Sequence, residues 1–113
     1  YGWLFPKASC VVHHGGTGTV AAVLAAAKPS ILFPQIIGQE LFGRILLREH
    51  CATGMFDVRT LDPRDLAEAI HRAVTDDVVR ASVSDWQRTI RKDAGVNAAV
   101  DLIEAHWDHV RRP

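Results

Sequence analysis

The stretch "CVVHHGGTGTV", residues 10–20, constrains the fold more than any other part of the chain. An aliphatic run ends in two histidines, meets Gly15, Gly16 and Gly18, and passes into an alanine-rich segment. Aliphatic residues bounded by glycine read as a short buried strand over Cys10–His13. Thr19–Ala27 then reads as a helix with Val20, Val23, Leu24 and Ala27 on one face, stopped by Lys28-Pro29.

The alternation continues. Ser30–Phe33 is expected as a second strand, Gln39–His50 as a helix with Leu41, Ile45 and Leu46 inward, and Thr53–Phe56 as a third strand. Connections of this length imply parallel strands with helices packed on them. Beyond this point the pattern is all helical. Asp62-Pro63-Arg64-Asp65 combines an N-cap acid, a proline suited to the first turn, and an acid at the positive end of the helix dipole. Leu66, Ile70, Ala73 and Val74 mark one face of that helix, and Val79, Val83, Trp86 and Ile90 one face of the next. Val96, Val100, Ile103, Trp107 and Val110 mark the last. The expected fold class is α/β, with a partial Rossmann-like parallel sheet of about three strands in residues 1–57. An all-helical tail, 58–113, completes a single domain.

Composition excludes several function classes. Thirteen basic residues balance thirteen acidic ones, so no net charge favours nucleic acid or an anionic membrane surface. No apolar run approaches the roughly 18 residues of a membrane span, and Tyr1–Lys7 lacks the pattern of a signal peptide. Two cysteines, Cys10 and Cys51, suggest no disulfide framework, and a cytoplasmic setting is expected.

Ligands of a parallel sheet bind beyond the carboxyl ends of its strands, where residues 14–18 lie. Glycines there let the backbone approach a ligand closely, and the following helix offers free N–H groups and partial positive charge. The turn therefore reads as an anion site, most naturally for phosphate, with hydroxyl donors from Thr17 and Thr19 and an N–H from His13. A P-loop is excluded because no lysine follows the glycines. Gly16-x-Gly18-x-x-Ala21 fits the loose dinucleotide fingerprint, but the next strand ends in Phe33-Pro34-Gln35 without the acid that holds a ribose, leaving a dinucleotide-dependent oxidoreductase as a runner-up. His14-Gly15-Gly16 is similar to an esterase oxyanion loop, yet Ser9, Ser30, Ser82 and Ser84 all lack the Gly-x-Ser-x-Gly setting. No metal site is expected, since neighbouring strand residues point to opposite faces and His106 with His109 lack a third ligand.

"VVHHGGTGTVAAVLAAAKPSILFP" followed by "GQELFGR" resembles the donor-binding half of the family 1 glycosyltransferases, in particular their bacterial antibiotic and sterol types. "TLDPRDLAEAI" and "DAGVNAAVDLIEA" resemble the closing regions of the same family. The resemblance implies a GT-B fold of two facing Rossmann-like halves, the nucleotide sugar being held mainly by the C-terminal one. It assigns the donor diphosphate to His13, Gly16, Thr17, Gly18 and Thr19, with His14 a packing group. It assigns the donor sugar to Gln39; the acid of the family's Asp-Gln pair falls on Gly38, and Glu40 is the nearest substitute. The implied reaction is transfer of a hexose from a nucleoside-diphosphate sugar to a hydroxyl of a small hydrophobic acceptor, with inversion and without metal or other cofactor. The acceptor pocket and catalytic base belong to an N-terminal domain that the resemblance places before Tyr1, so the chain is expected to be a fragment, inactive alone. A non-catalytic or split-subunit binding module is the alternative. An unpaired sheet edge is expected to drive a homodimer or aggregation.

Overall fold

The computed structural model describes residues 1–92 and 95–111. A single 3-10 turn, Phe5–Lys7, leads into β1 (Val11–His13), α1 (Thr17–Ala25), β2 (Ser30–Leu32), α2 (Ile37–Arg48) and β3 (Ala52–Met55). Three helices follow: α3 (Pro63–Thr75), α4 (Asp77–Lys92) and α5 (Gly95–Arg111). The strands form one parallel sheet in the order β1-β2-β3, with Val11 opposite Ser30 and His13 opposite Leu32. The α/β class, the parallel sheet and the helical tail are as the sequence implies.

The core lies on both sides of the central strand. Val20, Leu24, Leu32, Leu46, Cys51, Ala52 and Val83 form one buried cluster, and Phe5, Val11 and Val23 a second. Strand β2 is buried along its whole length because both its neighbours and both its faces are covered. Helix α4 packs beside α1, and the side-chain amide of Gln87 donates to the Ala25 carbonyl at 2.8 Å, satisfying an end of α1 that its own helix leaves open.

Both core helices stop without the residues that usually stop them. After α1, Ala27 takes a left-handed conformation (φ 53°), while Lys28 N–H donates to Val23 O and Ala27 N–H to Leu24 O. After α2, His50 does the same (φ 56°), with Cys51 N–H on Leu46 O and His50 N–H on Leu47 O. Each is a Schellman ending built on a residue other than glycine. The stop for α1 is therefore this bonded reversal, with Pro29 beyond it.

Three helix faces differ from expectation. Leu41 is 58% exposed, and α2 instead buries Gly43 and Leu46. The helix runs so close to β3 that a Cβ on Gly43 would lie 2.6 Å from Met55 Sδ, and Leu41 falls on the opposite face. Helix α3 buries Ala69 and Ala73, leaving Ile70 and Val74 40% and 46% exposed. Here too small residues mark the seam: a Cβ on Gly54 would stand 3.1 Å from that of Ala69, and Thr53 Oγ1 donates to Ala69 O at 2.8 Å. The apolar residues of α5, among them Val96, Leu102 and Ile103, remain exposed.

Candidate functional site

Helix α1 begins two residues earlier than the alanine pattern indicates. Gly16 is its N-cap, so Thr17, Gly18 and Thr19 occupy the first three helical positions. The amides there have no intrahelical acceptor, and no side chain caps them. None of the three donates to a protein acceptor among the described residues. Thr17 and Gly18 are exposed and Thr19 is half-buried, so the expected anion site is open to solvent.

Gly15 sets the turn. Its φ is +92°, a conformation side-chain-bearing residues rarely adopt, and a Cβ there would lie 3.1 Å from Gln39 O and 3.3 Å from Leu32 Cδ2. That close approach brings the first turn of α2 against the glycine turn. Residues 24 apart in sequence, Gly15 and Gln39, thus share one site.

The two histidines of the turn are placed differently. Gly15 N–H donates to His13 Nδ1 at 3.1 Å, so that nitrogen carries no proton. His13 Nε2 lies 2.9 Å from Ser30 Oγ, which is buried. Burial, with a smaller contribution from neighbouring His14, pushes the His13 pKa from 6.5 down to about 4. The ring is therefore neutral, with its proton on Nε2 and donated to Ser30. His14 is exposed and forms no hydrogen bond among the described residues. Its Nε2 lies 2.6 Å from the position a Cβ on Gly16 would take, so the ring edge rests over the N-cap of α1.

The depressed pKa of His13 has a stability consequence. The unfolded chain takes up a proton near pH 6.5 that the folded chain refuses until about pH 4. The contribution is fully present above pH 6.5, is lost progressively as the pH falls toward 4, and levels off below that. Allowing for the partial exposure of the ring, the loss is about 2 kcal/mol. Urea midpoints at pH 7 and pH 4.5 should differ accordingly, and the difference should shrink in His13→Gln. An unchanged difference in that variant would assign the effect to other groups.

At the N-terminus of α2, Gln39 is the third helical residue, and its Oε1 accepts from Gln35 N–H at 2.7 Å. Its Nε2 faces no protein acceptor among the described residues. Glu40 is tied to Arg44 by bonds of 2.6 and 3.2 Å along one helix face. Gly38 has nothing within 4 Å of a would-be Cβ, so the position expected to carry an acid is open space. Beside this turn, beyond the ends of β2 and β3, lies a cavity of about 690 Å³. Pro34, Ile37, Met55 and Phe56 line it together with the Asp57–Arg59 pair, whose hydrogen bonds hold the Asp57 carboxyl down to about 2. Sequence reasoning did not single out this pair; an Asp-x-Arg directly after a strand was its one visible mark. Among the described residues no three His, Cys, Asp or Glu side chains gather as metal ligands, and no helix is long and apolar enough to cross a membrane.

Comparison with known proteins identifies the family and the fold. Residues 1–99 match the erythromycin biosynthesis protein CIII-like C-terminal domain. The chain is 36% identical over 107 residues to UDP-sugar-dependent glycosyltransferase 52 of Dictyostelium discoideum, covering 94% of this chain and 6% of that protein. It is 31% identical over 111 residues to O-mycaminosyltylonolide 6-deoxyallosyltransferase of Streptomyces fradiae, covering 98% and 26%. Among solved structures, the calicheamicin glycosyltransferase CalG4 superposes with a TM-score of 0.83 at 27% identity, over 96% of this chain and 28% of that one. The glycosyltransferase of kitacinnamycin superposes at 0.85, also at 27% identity, over 90% and 26%. The chain thus spans only 6% and 26% of the two relatives named. It belongs to the erythromycin biosynthesis protein CIII-like C-terminal domain family, and its fold is that of the C-terminal domain of GT-B glycosyltransferases.

Proposed function

We propose that the chain holds the diphosphate and sugar of a nucleoside-diphosphate sugar, and that the enzyme it belongs to transfers that hexose to a hydroxyl of a small hydrophobic acceptor. The observation that carries this reading is the uncapped N-terminus of α1, where Thr17, Gly18 and Thr19 present free amides beside two hydroxyls. Negative charge builds on the diphosphate as it leaves the anomeric carbon. Fixed N–H dipoles and the positive helix end stabilise that charge at no cost of reorganisation, and no metal is assigned a part. The Nε2 amide of Gln39 is the donor best placed for a sugar hydroxyl, because Gln39 lies against the same turn. Glu40 would first have to release Arg44. No residue of this chain is assigned as the base that takes the acceptor's proton; that group and the acceptor pocket are proposed to lie in another part of the enzyme. The cytoplasm is the proposed location. Pairing of two copies along β1, an edge strand among the described residues, is a separate proposal that sedimentation of the chain would decide.

Gly18→Ala tests the diphosphate reading cleanly. Beyond its own helical turn and chain neighbours no atom lies within 4 Å of the added methyl, so the fold accepts it, and the helix gains up to about 1 kcal/mol. Helical Cβ atoms tilt toward the N-terminus, which puts the methyl on the approach to the free amides. Stability should therefore rise slightly while affinity for UDP, measured by calorimetry, falls about tenfold. Unchanged affinity would remove the diphosphate from this turn.

A further inference from the structure

We propose that a second cavity, at the end of the sheet where the strands begin, binds a small monocarboxylate, a carboxylate head on a short apolar body. It lies at the opposite end of the strands from the glycine turn and shares no residue with the site described above.

Four separate segments close around a volume of about 280 Å³. Ser9 comes from just before β1, Lys28 and Pro29 from the connection between α1 and β2, Val74 from the last turn of α3, and Arg80 and Val83 from α4. The lining divides by chemistry. Ala73 and Val83 are buried and supply apolar wall beside Pro29. Val74 stands on the helix face that periodicity marks as inward, yet it is 46% exposed and lines the cavity. Apolar surface is thus left open there for the body of a ligand to cover.

The polar lining is one hydroxyl and two cations, Ser9, Lys28 and Arg80, with no acid among them. Arg80 is already held: its guanidinium donates to the Val74 carbonyl at 3.2 Å and pairs at 3.3 Å with Asp77, which lies outside the lining. Lys28 is half-buried, and its ammonium has no hydrogen bond or ion pair among the described residues; nor has Ser9 Oγ a partner there. The backbone of Lys28 is nevertheless fixed on both sides. Ala27 before it is left-handed (φ 53°), Lys28 N–H donates to Val23 O at 3.1 Å, and buried Pro29 restricts the residue it follows. A cation preset in this way, with no counter-charge in the lining, selects an anion. At about 280 Å³ the cavity falls just under the usual range for drug-sized ligands, so the body is short. The apolar wall favours a head with a hydrocarbon body over an ion that is polar all round.

The test is a titration of the chain with sodium benzoate, followed by NMR of backbone amides. Benzyl alcohol and inorganic phosphate supply the apolar body and the negative charge separately. The expected result is saturable shifts at Ser9, Lys28, Val74, Arg80 and Val83 while the Thr17–Thr19 amides stay unmoved, with a Kd of about 1 mM, ordinary for so small a ligand. Benzyl alcohol and phosphate should each bind at least about tenfold more weakly. Lys28→Gln should weaken benzoate about tenfold, and unchanged amide positions elsewhere in its spectrum would show the fold retained. The proposal is overturned if benzoate at about 20 mM leaves those amides unmoved, or if Lys28→Gln binds it within about twofold of the parent. Benzyl alcohol binding as tightly as benzoate would reduce the cavity to an apolar crevice, and phosphate binding as tightly would leave the apolar body without a place; either result overturns the carboxylate.

Discussion

Replacing Gly15 by alanine should damage both the fold and the site, and more severely than any other substitution in the glycine turn. At φ +92° an L side chain is strained by about 1–2 kcal/mol before any contact is counted. The added Cβ would also press on the Gln39 carbonyl at 3.1 Å and on Leu32 Cδ2 at 3.3 Å. The backbone carbonyl cannot swing aside as a side-chain end can, so the turn and the first turn of α2 must part. Moving Gly15 also breaks the bond from its amide to His13 Nδ1, which leaves that nitrogen of a half-buried imidazole without its donor. The expected loss is about 3 kcal/mol of stability, with UDP affinity falling below detection. Urea denaturation and calorimetry on the same preparation check the two parts. A variant as stable as the parent would mean that the turn can adopt another path, and the shared site of Gly15 and Gln39 would then be incidental.

The second large effect is expected at Leu32. It is fully buried at the end of the central strand, in the main core cluster with Leu24, Leu46 and Val83. Its two methyl groups reach the glycines on either side: Cδ2 toward Gly15 and Cδ1 toward Gly43, 3.5 Å from where a Cβ would be. Leu32→Ala removes the buried groups and leaves a cavity that neighbouring strands and helices cannot close, at a cost of about 3 kcal/mol. With an m-value of about 1–3 kcal/mol/M, the urea midpoint should fall by roughly 1 M or more at unchanged slope. Leu32 also forms the floor under Gly15, so nucleotide affinity should weaken even where the variant is fully folded. A stability loss without a loss of affinity would show that the turn holds its shape without that floor.

Much of this architecture was legible along the chain. Strand, glycine turn, helix and strand follow one another because aliphatic runs, glycines and alanines each restrict the backbone locally, and no distant partner is needed to read them. The start of α3 is an example. Asp62 Oδ1 accepts from Arg64 N–H at 2.9 Å, and Pro63 occupies the first turn, as the four residues imply. The ends of α1 and α2 were not legible in the same way. Ala27 and His50 are held in left-handed conformations by bonds back to Val23, Leu24, Leu46 and Leu47, and neither residue type announces such a reversal. The buried faces of α2 and α3 were misjudged for a related reason. Periodicity ranks residues by size and polarity, whereas these helices lie so close to β3 that small residues, Gly43 and Ala69, take the places of closest approach.

The sequence by itself determined that residues 14–19 form a glycine turn opening a helix, because the free amides of a helix N-terminus follow from local geometry alone. Only the tertiary structure decided where each of the two imidazoles lies. Adjacent histidines are indistinguishable in sequence; one meets Ser30, which lies 17 residues away, and the other meets solvent above Gly16. The parallel pairing of β1 with β2 is what places Ser30 within reach of His13, and that pairing is a property of the sheet as a whole.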